Sequence, residues 1–253
     1  MLFKAFLTAL STYSVIPVPR SDFEGRDMKY AICFFPAVGA IIAIILLVWY
    51  RVSLAAGVGG VIFAAVSAAV PVIITGGIHL DGYMDTADAL SSRELRERML
   101  EIMKDAHTGA FAVIYLVVYF IIDFALFYEL YTLRALGAAL PLFILSRALS
   151  AFLALRLPNA RGQGMLYYYT EAAETGRAEL IALITAAAAC ALMIIISPPC
   201  GIFTAVLSVG WVLLYTHTAM KRFGGVTGDT AGFYLVISEL LCLIGVWIGA
   251  MIK

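Results

Sequence analysis

The feature that most constrains this chain is the recurrence of apolar stretches long enough to cross a lipid bilayer. A bilayer core asks for about 20 consecutive apolar residues per helix, and such stretches fall at about 30–50, 54–75, 109–130, 133–155, 179–197, 200–219 and 231–252. Of 253 residues, 63% are hydrophobic and only 13% charged, with a mean hydropathy of +0.97, far outside the range of soluble domains. The expected fold is therefore all-α: a polytopic integral membrane helix bundle of about seven transmembrane helices, forming one domain over 1–253. A formal net charge of zero argues against a nucleic-acid partner, which would call for a basic excess. Cys33, Cys190, Cys200 and Cys242 lie in or beside apolar spans without a CxxC spacing or histidine partners. They read as small core residues rather than zinc ligands or a disulfide framework.

Short connections at 51–53, 131–132 and 198–199 imply antiparallel neighbours, while those at 76–108, 156–178 and 220–230 are longer. Lys4, Arg20, Arg26, Lys29, Arg93, Arg96, Arg98, Lys104, Arg156, Arg161, Arg177, Lys221 and Arg222 lie in the amino-terminal segment and the longer loops, against Arg51, Arg134 and Lys253 on the other side. By the positive-inside rule the amino terminus and all the longer loops face the cytoplasm, so the polar motifs emerge on one face of a cell membrane. The first 25 residues, MLFKAFLTALSTYSVIPVPRSDFEG, carry no convincing cleavage site and read as a retained amphipathic or partly re-entrant segment.

Residues 76–109, GGIHLDGYMDTADALSSRELRERMLEIMKDAHTG, hold the densest charge in the chain. Asp81, Asp85 and Asp88 are spaced i, i+4, i+7, which on a helix puts all three carboxylates on one face. Like charges so close repel. A divalent cation relieves that repulsion, and hard oxygen donors in this pattern suit Mg²⁺ completed by phosphate oxygens. The alternative is a solvated face with Asp81 capping the helix; the interleaved His79, Gly82 and Thr86, directly after an apolar span, count against it. From Ser92 to Asp105 acids and bases alternate at helical spacing, as in Glu94 with Arg98 and Glu97 with Arg93, which predicts a solvated helix. Lys104, Asp105 and His107 sit just before the third span, where site and surface roles are both open.

Before the last span, GGVTGDTAG (224–232) is a glycine-rich loop whose backbone amides can approach a phosphate and whose Asp229 can add a metal ligand. Within the spans Asp123, Arg147 and Glu239 require a polar cavity or a partner. At 1.5 Å per residue Arg147 and Glu239 each lie roughly 12 Å from the cytoplasmic face and Asp123 roughly 20 Å.

GGIHLDGYMDTADAL is similar to the signature of the cobalamin synthase family, the adenosylcobinamide-GDP ribazoletransferases. The resemblance continues through MKDAHTGAFAV (103–113), PNARGQGM (158–165) and GGVTGDTAG. It implies an enzyme that joins α-ribazole, or its 5′-phosphate, to adenosylcobinamide-GDP with release of GMP. On that reading Asp81, Asp85, Asp88 and Asp229 hold Mg²⁺, and Asp85, Asp88 or His79 serves the acid–base chemistry. Arg147 and Arg161, which fall where the family has arginine, bind the diphosphate with Lys104 and Gly228. The family often has an acid near Val236, absent here, which leaves the role of Glu239 open. A homo-oligomer or other corrinoid-pathway enzymes are conceivable partners. Two alternatives differ in what they demand. A CDP-alcohol phosphotransferase would show a DG..AR pattern, whereas Gly82 is followed by Tyr83, Met84, Asp85 and Thr86. A cation-coupled transporter using Asp123, Arg147 and Glu239 would spread its acids through the bilayer depth, whereas most acids here cluster at one face.

Overall fold

The computed structural model describes residues 2–19 and 30–252. Arg20, Arg26, Lys29 and Lys253, four of the charges used for the orientation, lie outside the described residues.

An amphipathic α1 (Leu2–Tyr13) buries Ala5, Thr8, Ala9 and Leu10 and leaves Leu2 and Phe3 exposed. After a single 3₁₀ turn come α2 (Phe35–Ala56), α3 (Gly60–Thr75) and α4 (Ile78–Ser92). The chain continues with the short α5 (Arg96–Ile102), α6 (Ala110–Thr132), a single turn α7 (Leu136–Ala139), α8 (Leu142–Arg156), the short α9 (Met165–Ala172), α10 (Thr175–Ile196), α11 (Pro198–Thr218) and α12 (Gly228–Met251).

Among the described residues six helical segments are long and apolar enough to span a membrane: α2, α6, α8 with its preceding turn, α10, α11 and α12. The chain is a multi-pass membrane protein. Its outer helices expose large aliphatic side chains, such as Ile44, Ile62, Ile121, Leu183 and Leu213, as lipid contact requires. The seventh expected span is α3, whose sixteen residues reach only about 24 Å. α3 meets α4 at a 94° bend, made by consecutive glycines in the left-handed region, Gly76 at φ 64 and Gly77 at φ 78. Beyond this bend α4 packs against α6 and α12.

Two of the expected connections shift by a few residues. The first turn is at 57–59 rather than 51–53, because α2 runs on until Gly57 adopts φ 67 and its N–H closes on the Ser53 carbonyl. The second falls after Thr132, where Arg134 takes φ 54. The expected helix over Ser92–Asp105 is interrupted: Arg93, at φ 56, ends α4, and helix resumes only at Arg96. Among the described residues the ion pair formed there is Arg98–Glu101 at 2.9 Å, rather than Glu94–Arg98 or Glu97–Arg93, because Arg93 and Glu94 lie before the resumed helix and out of its phase.

α8 lies at the centre, packed on α2, α10 and α12. Close approach rests on small residues: a Cβ on Gly245 of α12 would lie 2.7 Å from the Thr204 Cα of α11, the small-residue contact by which helices pack in membranes. All four cysteines are free, Cys200 and Cys242 buried between these two helices.

Candidate active site

The site begins at a helix crossing. A Cβ on Gly82 of α4 would come within 2.8 Å of the Asp229 Cα, and one on Gly232 of α12 within 2.9 Å of the His79 carbonyl oxygen. Only glycine at both positions lets the two backbones meet, and their meeting carries His79 and Asp81 to the first turn of α12. Around the crossing Tyr83 stacks on Phe233 at 5.6 Å and donates to the Tyr115 carbonyl of α6.

A second junction supplies the cation. The segments around Asn159 and Val226 pair as a parallel bridge, with the Ala160 N–H donating to the Val226 carbonyl at 3.0 Å and the Val226 N–H to the Pro158 carbonyl at 2.8 Å. The Asn159 side chain then accepts from the backbone N–H groups of Arg161 and Gly162 at 2.9 and 2.8 Å, shaping the turn that aims Arg161. Arg161 reaches Asp229 at 2.8 Å and also donates to the Leu100 carbonyl of α5. On the other strand Thr227 caps α12: its side chain accepts from the Thr230 N–H, and the Thr230 hydroxyl accepts from the Thr227 N–H. The N–H groups of Gly228 and Asp229, in the same first turn, lie among the helical donors that no carbonyl of the helix satisfies.

Asp81, Asp85 and Asp88 all fall on α4, as their spacing predicts. Burial pushes the Asp85 carboxyl up to about 6; the charges of Asp81, Asp229 and Asp88 push the same way, and only the Arg161 guanidinium opposes them. The four carboxylates therefore share one electrostatic field with one arginine set against it. The Asp88 carboxylate packs directly against Gly109, the residue before α6, which ties the 103–113 stretch to the cluster. Among the described residues no three Asp, Glu, His or Cys side chains converge closely enough to hold a metal ion as they stand. The donor type, hard carboxylate oxygens in charge excess, fits a divalent cation such as Mg²⁺.

A cavity of about 270 Å³ opens beside the crossing. Asp81, His79, Arg161, Gly228 and Asp229 form its polar end, and Tyr13, Ile32, Phe35, Ala151, Ala154 and Tyr169 its apolar end. A second cavity of about 290 Å³ lies across Arg161 and Gln163, lined by Glu97, Glu101 and Lys104. Of the other loop residues, Asp105 and His107 are exposed and pair with each other at 2.7 Å.

Arg147 sits elsewhere. It is 1% exposed, absent from the lining of the 270 and 290 Å³ cavities, and held by Glu239 and the Phe143 carbonyl, with Ser146 also donating to Glu239. The sequence left Glu239 without a role; its partner is Arg147. A water-sized space of about 20 Å³ between this pair and His79 has two polar atoms without partners near it, His79 Nε2 and Arg147 Nε, a setting suited to one bridging water. Among the described residues His79 makes no hydrogen bond to an aspartate, and it lies 5.4 Å from the Phe35 ring. Asp123 is buried in α6 at 3% exposure.

Sequence reasoning missed the Asn159 turn and the whole aromatic wall. Its one signal was the run Tyr167–Tyr168–Tyr169 directly after the 158–165 stretch; Tyr13 and Phe35 reach the cavity from the first helices and carry no local mark.

Membrane-length helices that gather carboxylates, a paired arginine and a helix amino terminus around a cavity define a multi-pass membrane protein with a charged cavity between its helices. The family is specific: the chain belongs to the cobalamin-5-phosphate synthases, whose family profile matches residues 5–247. It is 38% identical over 236 residues to a Lachnoclostridium phytofermentans protein named adenosylcobinamide-GDP ribazoletransferase, covering 92% of this chain and 89% of that one. A protein of the same name from Desulfitobacterium hafniense is 34% identical, with 94% of each chain covered, and one from Clostridium botulinum strain Alaska E43 is 31% identical, with 96% of each covered. No solved structure matches the chain. These relationships do not favour the phosphotransferase or transporter alternatives.

Proposed function

We propose that this chain is an adenosylcobinamide-GDP ribazoletransferase of the cell membrane, its amino terminus and active site facing the cytoplasm. The observation that carries the reading is the assembly of Asp81, Asp229 and Arg161, from three separate stretches, at the polar end of one cavity. In the reaction a hydroxyl oxygen of α-ribazole, or of its 5′-phosphate, bonds to the phosphorus attached to cobinamide; the bond from that phosphorus to the GMP oxygen breaks, and GMP leaves.

The residues divide the work. Arg161 and the first-turn N–H groups of α12 bind diphosphate oxygens, with charge-assisted hydrogen bonds that strengthen as the leaving phosphate gains charge. Lys104, across Arg161 in the second cavity, attracts the nucleotide end. The hydroxyl proton passes to an acceptor at the cavity wall, a carboxylate of the α4 set or His79. Asp81, Asp85, Asp88 and Asp229 would hold Mg²⁺, which when bound neutralises the diphosphate charge. The apolar scaffold keeps this chemistry at a membrane surface.

The test is release of labelled GMP from adenosylcobinamide-GDP by purified protein in lipid nanodiscs. The reading expects GMP to form only when ribazole or its phosphate is present, in step with the corrinoid product. Intact adenosylcobinamide-GDP after incubation with both ribazole forms and Mg²⁺ would refute it.

A further inference from the structure

The 270 Å³ cavity is too small for a corrin macrocycle, yet suited to one nucleoside, since ligand pockets begin near about 300 Å³. Its apolar end has a definite shape. Tyr13 lies 4.3 Å from Phe35 and 6.2 Å from Tyr169, ring centroid to centroid, so three aromatics from α1, α2 and α9 form one wall. The Tyr169 hydroxyl is engaged by Thr12 at 2.5 Å, which fixes its ring. From α8 the lining takes only small side chains, Ser150, Ala151 and Ala154, leaving room for a flat group.

We infer, building on the transferase reading, that this end is the seat of the ribazole base, the nucleophile's side of the reaction, and that the nucleotide of the other substrate lies across Arg161 in the second cavity. The argument is one of matching polarity. Guanine presents donors and acceptors around its edge, and burying them against aromatic rings, two alanines and the single Ser150 hydroxyl leaves most of them unpaired. Dimethylbenzimidazole is a flat apolar bicycle that keeps little polar edge once joined to ribose, and aromatic side chains favour such a partner. With the base against Tyr13, Phe35 and Tyr169, the ribose points to Asp81 and Asp229, where its hydroxyl meets the phosphorus. Arg161 and Gln163 line both cavities and so stand at the boundary between the two substrates.

Wild-type protein in nanodiscs supplies the first test. Free 5,6-dimethylbenzimidazole should inhibit competitively against ribazole and not against adenosylcobinamide-GDP, whereas guanosine should compete only with adenosylcobinamide-GDP. Ala154→Leu, which fills the apolar end, should weaken equilibrium binding of labelled α-ribazole about tenfold or more, the discrimination a filled hydrophobic pocket gives, while the KM for adenosylcobinamide-GDP stays within about twofold. Guanosine displacing ribazole, or Ala154→Leu acting on adenosylcobinamide-GDP instead, overturns the assignment even if turnover is normal. Absence of turnover with retained ribazole binding that Ala154→Leu abolishes would refute the reaction and keep the base site. If Ala154→Leu does not fold, the wild-type competition pattern decides alone.

Discussion

Arg161 and Asp229, 68 residues apart in sequence, meet in a 2.8 Å ion pair at the polar end of the cavity. The pair is partly buried, with side-chain exposures of 16% and 26%, and the Asn159 turn and the Thr227 cap, joined by the bridge between Asn159 and Val226, hold its two ends. Such a pair keeps an arginine aimed where an anion is to bind.

Removing Arg161 should therefore harm turnover more than folding. Arg161→Ala is expected to lower kcat by about 10²–10³-fold, the scale for losing one transition-state donor, and Arg161→Lys should recover little because a compact ammonium lacks the planar fork whose two Nη atoms reach Asp229 and the Leu100 carbonyl. Single-turnover kinetics at saturating substrate measure this; an unchanged kcat would place Arg161 outside the chemistry.

The crossing of α4 and α12 should tolerate no side chain. Gly232→Val would drive the helices apart at His79 and cost about 1–3 kcal/mol as overpacking does, with activity falling together with thermal stability in detergent. A stable, active Gly232→Val protein would show that the crossing does not set the site.

Arg147 and Glu239 should behave as a structural pair. Arg147→Met leaves a buried carboxylate without its partner and is expected to destabilise by about 3–5 kcal/mol. Adding Glu239→Leu should restore most of the melting temperature and, because Arg147 does not line the main cavity, much of the turnover. A stable but inactive double variant would instead give Arg147 a direct part in substrate binding.

The Asp85 carboxyl makes a pH signature without divalent cations. Its folded pKa of about 6 lies above the ordinary carboxylate value, so its neutral form stabilises the fold at low pH and that contribution is lost as pH rises through about 6. Metal-free wild type should melt lower at pH 8 than at pH 5, and Asp85→Asn should flatten the difference. An equal slope in both proteins would show that Asp85 is not the group responsible.

Much of this was legible in the sequence for physical reasons. Apolar stretches report spans because lipid imposes one length and one polarity, and the i, i+4, i+7 spacing gathers three aspartates on one face because the segment is helical. Arg147 and Glu239 were placed at equal depth by counting residues, and they prove to be partners. What stayed hidden depended on single backbone angles or on distance in the chain. The left-handed Arg93 that splits the loop helix has no residue-type signal, and the Gly76–Gly77 bend reads equally well as a plain loop. The aromatic wall comes from three helices joined only by tertiary packing.

The central claim, that distant stretches build one metal–diphosphate centre, is tested most directly by a double-mutant cycle at Asp85 and Asp229, read as the Mg²⁺ dependence of GMP release. If both carboxylates serve one centre, either Asp→Asn change should already weaken the apparent Mg²⁺ affinity, and the double variant should be little worse than the weaker single. Additive free energies, as for independent sites more than about 7–10 Å apart, would contradict the account and leave Asp229 as the partner of Arg161 alone.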